Sequence, residues 1–287
     1  MCGGMEMRKG LTRAGIGGGL GIEAFAELAS RNGFAAVDVG GEEIVRWIES
    51  QGLERVQERL SELNVSIGAI GLCVDWRAAD AGFRTGLAQL AIQAQAAAAV
   101  GCRVCCTYAL PAVDENPAQL LAVATVRLRT CARVLDAYGI RLALEFVGPH
   151  HLRRQWRHPF VQDMAGMLDW IDAIGERNVG LLLDSLHWYT TEGTLGELLH
   201  LQPHQIAHVH LNDAPDVPVS AVRDDGRLYP GEGVIDLAGF LQSLSRIGYA
   251  GVVSQEVLTP QPPTDTPEVL ASKSARLFDK LFQAVPN

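Results

Sequence analysis

The sequence has no surplus of positive charge. Its 24 Lys and Arg face 33 Asp and Glu, which leaves −9 at neutral pH and a pI near 5.4. Nucleic acids and anionic membranes are gripped by clustered Lys and Arg, so neither is an expected partner. No apolar run is long enough to span a bilayer. The Ala-rich LAIQAQAAAAVG is broken by Gln93 and Gln95 and reads as a buried helix. The start, MCGGMEMRKG, lacks the apolar stretch of a secretion signal, and residues 1–10 are expected to form a flexible tail. Cysteines are few and unevenly placed (Cys2, Cys73, Cys102, Cys105, Cys106 and Cys131), which excludes a disulfide framework. Cys102-x-x-Cys105-Cys106 has no second CxxC and no neighbouring His, so GCRVCCTYAL reads as a buried strand rather than a zinc site. A reducing cytoplasm is the expected compartment. The glycine-rich GIGGGLG, with Asp38 about twenty residues on, imitates a dinucleotide fingerprint. From Gly15 the last glycine position holds Leu20, and from Gly17 it holds Ile22, so no dinucleotide is expected.

What is present is a repeated alternation of apolar runs and helical periodicity. LTRAGIG, FAAVDVGG, NVSIGAIGL, CRVCCTYAL, IRLALEF, VGLLLD, IAHVHL and GVVSQEV read as eight strands. Helices are expected near 22–33, 42–63 (as one or two), 84–100, 117–138, 160–174, 194–200, 236–247 and 267–283. Helical crossovers imply parallel strands, and runs without polar alternation imply strands covered on both faces. Eight such units predict a single α/β domain over residues 11–287, a (β/α)8 TIM barrel, whose active site lies at the C-terminal ends of the strands. No linker divides the chain, and TPQPPTDTP reads as a stiff loop before the last helix.

Four of these strands end in metal-ligating residue types. Glu145 closes the fifth, Asp184 the sixth, His210 the seventh and Glu256 the eighth. One acid at one strand end is commonly a cap or a surface group. Three carboxylates and an imidazole at successive strand ends would repel unless protonated or holding a cation. Such donors suit one divalent ion, Mn2+ first, with Mg2+, Co2+ or Zn2+ also admitted. Two open positions would accept two adjacent substrate oxygens. His208 is expected to face away from His210 and to be structural. His187, one turn past Asp184, is a candidate catalytic and substrate-binding residue. Arg227, His151, Trp188 and Tyr108 are candidate substrate-binding residues, and Trp76 and Phe146 further candidates for the pocket wall. Glu232 is a candidate hydrogen-bond partner for a ligand. The segment GPHHLRRQWRH concentrates basic residues in an acidic chain. It reads equally as an attractor of substrate, a solvated loop or a subunit contact.

EFVG around Glu145, GLLLDSLHWY around Asp184, HVHLND around His210, RLYPGEGVIDL and SQEV around Glu256 together resemble the xylose isomerase-like barrel superfamily. The resemblance spans nearly the whole chain and is strongest over 141–258. It is nearest to the inosose isomerase-like, sugar-phosphate isomerase/epimerase branch. It implies a divalent metal on Glu145, Asp184, His210 and Glu256, with His187 near a carbohydrate or cyclitol substrate and a possible homo-oligomer. It also implies Glu145 and Glu256 as a catalytic proton-transfer pair that isomerises or epimerises a keto-sugar or keto-inositol through an enediolate. Ketose 3-epimerases carry another glutamate six residues after the first; here that position is His151. A lyase that eliminates a β leaving group from the same enediolate is the alternative. Phosphodiester cleavage and a non-catalytic sugar-binding barrel rank below it.

Overall fold

The computed structural model describes residues 7–284. Eight parallel strands close into a barrel: β1 (Arg8–Leu11), β2 (Ala36–Val39), β3 (Ser66–Gly71), β4 (Val104–Ala109), β5 (Arg141–Phe146), β6 (Val179–Asp184), β7 (Ile206–Leu211) and β8 (Val252–Gln255). Each strand pairs with its sequence neighbours and β8 closes on β1, the TIM-barrel order. Between them run α1 (Ile22–Arg31), α2 (Gly41–Gln51), α3 (Leu53–Leu63), α4 (Asp80–Ala99), α5 (Pro117–Asp136), α6 (His150–Arg153), α7 (Met164–Ile174), α8 (Ser185–Thr190), α9 (Leu195–His200), α10 (Leu237–Arg246) and α11 (Pro267–Gln283). Among the described residues no helix is long and apolar enough to cross a membrane.

Outward residues of the strands, such as Leu142, Leu144, Leu181, Leu183, Val209 and Val253, are buried under the helices. Inside the barrel Ala143, Leu182 and Ala207 pack with Val104 and Cys106 into a small apolar floor. The site therefore rests on a filled core rather than a pore.

The expected tail needs correction. Residues 1–6 lie outside the described residues, but the chain is already a barrel strand from Arg8, and 12–21 are loop. Arg8 and Lys9 hid this strand because they are charged. Their ends reach Ser66 and Asp279 while Gly10 and Leu11 are buried. The one or two helices expected over 42–63 are two, divided at Gly52, whose φ of 84° suits glycine. Short helices α6 and α8 were not foreseen, nor was the antiparallel ribbon of Ala112–Val113 with His158–Pro159.

Candidate metal centre

β6 passes directly into α8, and Asp184 is the hinge. Its Oδ1 accepts the N–H groups of Leu186 at 2.8 Å and His187 at 3.0 Å, so it caps the helix. Its Oδ2 accepts Asn212 Nδ2 at 2.7 Å and Arg227 Nη1 at 2.9 Å. That cap fixes His187 one turn later. His187 Nδ1 accepts the Gly148 N–H at 3.4 Å, which leaves Nε2 3.4 Å from Arg227 Nη2 and 3.9 Å from both Glu145 Oε1 and Asp224 Oδ1. Gly148 has to be glycine here, since a Cβ would lie 2.5 Å from the His187 carbonyl oxygen.

The four strand-end residues converge. Glu145, Asp184, His210 and Glu256 each offer a ligand atom, and these atoms all lie within 4.8 Å of one another. His210 Nδ1 is 3.3 Å from Glu256 Oε2 and 3.7 Å from Glu145 Oε1. Both His210 Nδ1 and Glu145 Oε1 are buried without a hydrogen-bond partner. Buried polar atoms rarely stay unpaired, and two such atoms facing one point fit ligands of a cation. Three carboxylates with one imidazole are the right donors for it.

The electrostatics agree. Burial raises the Glu145 carboxyl above its ordinary range, reinforced by the charges of Glu256 and Asp184 and opposed by His210. Burial also acts to raise Glu256, but His210 and Arg227 hold it well below the usual carboxylate range. Burial acts to lower His210, yet Glu256, Asp38 and Glu145 lift it well above the ordinary imidazole value. Arg227 is buried among these acids. Nη1 bridges Asp184 and Glu256 at 2.9 Å each, and Nη2 reaches Asp224 at 2.7 Å. Burial disfavours its charge, but Asp184 and Glu256 more than reverse that.

A cavity of about 290 Å³ opens beside His210 and Glu256, lined also by Thr12, Arg13, Asp38 and Cys106. That volume suits a molecule of monosaccharide size. A larger groove of about 850 Å³ lies between α1 and α2, but no member of the four-residue cluster lines it.

Other expected site residues scatter. Tyr108 is 49% exposed at the rim, in register with Glu145, with Arg77 stacked over its ring. His151 lies on α6 against Val222 and Asp224, beside Arg227's partner rather than at the cluster. Trp188 is turned into the helix layer, its ring 5.3 Å from Phe240, so it is packing rather than pocket wall. Phe146 is likewise wholly buried in the outer core, and Trp76 packs on Trp170. Glu232 pairs with Lys273 at 2.9 Å, and the ligand contacts expected of it are made by Asn212 and Arg227. In the basic segment, Arg153 holds the carbonyls of Gly148 and Thr190.

His208 requires the clearest correction. Residues two apart on a strand share a face, so His208 points into the barrel with His210, their rings 5.3 Å apart. Asp38, set aside as part of the glycine-rich motif, is the acid these two histidines meet.

Comparison with known proteins follows this geometry. Inosose isomerase of Bacillus velezensis is 34% identical over 130 residues, 45% of this chain and 43% of that protein. 3-Dehydroshikimate dehydratase of Pseudomonas aeruginosa is 30% identical over 156 residues, 54% of this chain and 23% of that one. These matches therefore span less than half the length of either relative. The structure of a xylose isomerase domain protein from Alicyclobacillus acidocaldarius superposes with a TM-score of 0.90 at 32% identity, covering 97% of this chain and 99% of that one. The family model described as xylose isomerase-like TIM barrel matches residues 26–281, and the chain belongs to that family.

Proposed function

We propose that the protein is a divalent-metal-dependent isomerase or epimerase of a neutral keto-sugar or keto-inositol. The observation that carries this is the convergence of Glu145, Asp184, His210 and Glu256, with Glu145 Oε1 and His210 Nδ1 buried and unpaired. These four residues would hold the ion, Mn2+ before Mg2+, Co2+ or Zn2+. When bound, it would polarise the substrate carbonyl and offset the negative charge of an enediolate.

The chain's own residues supply the rest. One glutamate, Glu145 or Glu256, removes the proton beside the carbonyl, and the other returns it at a different carbon or face. Arg227, already 2.9 Å from Glu256, holds that carboxylate in place. His187 Nε2 donates to a hydroxyl on the Glu145 side. The apolar floor of Ala143, Leu182 and Ala207 closes the site from below and limits water.

Charge points to the substrate class. Asp38, Glu145, Asp184, Asp224 and Glu256 surround the site, and among the described residues Arg227, with the two charges of an ion, stands against them. Arg13 adds nothing, because Glu43 holds both its Nη atoms at 3.0 and 2.7 Å. A phosphate or carboxylate would be repelled, whereas a polyhydroxy ketone would be welcome. The dehydratase reading keeps the same enediolate and differs in one step, loss of a β-hydroxyl. It draws support from the Pseudomonas relative and opposition from this charge balance.

The test is incubation of the manganese-loaded protein in D2O with keto-hexoses, keto-inositols and 3-dehydroshikimate, followed by NMR. Deuterium at one carbon of a neutral ketose or inosose, with an isomeric product, is expected. An unsaturated product formed with loss of water would replace isomerase by lyase. No exchange with any compound would overturn both.

A further inference from the structure

We propose that Asp38 is the positioning carboxylate of the centre, fixing His210 so that Nδ1 faces the ion and Nε2 keeps its proton. This rests on the reading of the four strand ends as a metal centre.

The two nitrogens of His210 look in different directions. Nδ1 faces Glu256 and Glu145 at 3.3 and 3.7 Å, and Nε2 faces Asp38 Oδ2 at 3.6 Å. The same Asp38 oxygen takes a hydrogen bond from His208 Nε2 at 2.8 Å. A metal-bound imidazole commonly donates its other N–H to a carboxylate, which sets the tautomer and strengthens the ligand nitrogen. Asp38 stands on that side of the ring, at 3.6 Å a step beyond hydrogen-bond distance, and His208 anchors it from below.

The barrel is shaped around this arrangement. The pairing of β2 with β3 shifts register between Val37 and Asp38, and that of β6 with β7 shifts between Leu181 and Leu182, opposite His208. Such irregularities re-aim side chains near active sites. Gly68 on β3 leaves the room Asp38 needs, since a Cβ there would lie 2.5 Å from Asp38 Oδ1. Asp38, His208 and His210 also have the spacing of a second metal site. However, His210 is shared with the first centre, and the one oxygen Asp38 turns to the histidines already accepts from His208 Nε2 at 2.8 Å.

The experiment uses zinc and cobalt with the full chain. In zinc-loaded protein carrying 15N-histidine, NMR is expected to show His210 metallated at Nδ1 and protonated at Nε2. Asp38→Asn should lower zinc affinity about 10- to 100-fold, alter the visible spectrum of bound cobalt and blur the tautomer. Gly68→Ala, which crowds Asp38 without removing a donor, should move affinity the same way by less. Metallation at Nε2, two ions per chain, or an Asp38→Asn affinity within twofold of the parent would each overturn this inference alone. Failure of the parent protein to bind any ion would overturn the metal centre together with it.

Discussion

Glu145 and Glu256 flank His210, and in the proposed reaction they would both hold the cation and move the proton. Replacing either by Gln keeps the shape and removes the charge. Each change is expected to cut turnover at least 100-fold and to weaken metal binding, measured by NMR exchange and calorimetry. Arg227→Met leaves Asp184 and Glu256 without the guanidinium that bridges them, and breaking such a buried pair costs about 3–5 kcal/mol. The metal-free variant should therefore melt well below the parent, and added manganese should recover much of the difference. Of these residues, Glu145, Asp184, His210 and Glu256 could be read from the sequence, because four such residues closing successive apolar runs have few bland explanations, whereas one alone has several. Asp38 could not. Val39 follows it within the same strand, and its partner His208 lies 170 positions away. His208 was legible too, because the strand period puts it on the face of His210; the expectation that it faced away ran against that period. Trp188 was misjudged because α8, too short to show a periodicity, decides which way its ring faces.

Loops and short helices place the remaining chemistry. The connection after β7 carries Arg227, and Asp213 ties it down. Oδ1 and Oδ2 of Asp213 accept the N–H groups of Ala214, Gly231, Gly233 and Ile235, each at 2.9 Å. Asp213→Ala would leave these donors unpaired, at about 1–3 kcal/mol apiece where they stay buried. Faster amide hydrogen exchange over 222–235 and a raised KM are expected, since the loop would no longer present Arg227 in one position. Trp188→Ala tests the opposite case. A cavity beside Phe240 should cost about 3–5 kcal/mol in unfolding experiments while metal affinity stays within twofold. A large loss of affinity would return Trp188 to the pocket wall. At this scale the sequence showed β6 and β7 to the residue, because VGLLLD and IAHVHL are uninterrupted and lie under helices on one side. It missed β1, whose Arg8 and Lys9 carry their charges outward to partners remote in sequence.

For the molecule as a whole, the centre couples metal, stability and pH. An ion that binds only the folded chain adds about 2.7 kcal/mol at a hundredfold excess over Kd, or roughly 5–10 °C in Tm for a domain of this size. Chelation should remove that increment. Binding requires the carboxylates ionised and His210 without its Nδ1 proton, so protons are released as the ion enters. Affinity should fall as pH drops, first as His210 takes a proton above the ordinary imidazole range and then as Glu145 does. Glu145, already raised by burial, would be the first carboxylate to take a proton. The metal-linked stability is thus present at neutral pH and lost on the acid side, and calorimetric melting with and without manganese checks the sign. Anomalous diffraction from a manganese-soaked crystal tests the central claim most directly. One peak is predicted, roughly 2–2.3 Å from Glu145, Asp184, His210 and Glu256, with His210 bound through Nδ1. No peak there, with Arg227 still bridging Asp184 and Glu256 and His210 Nδ1 unligated, would contradict the account.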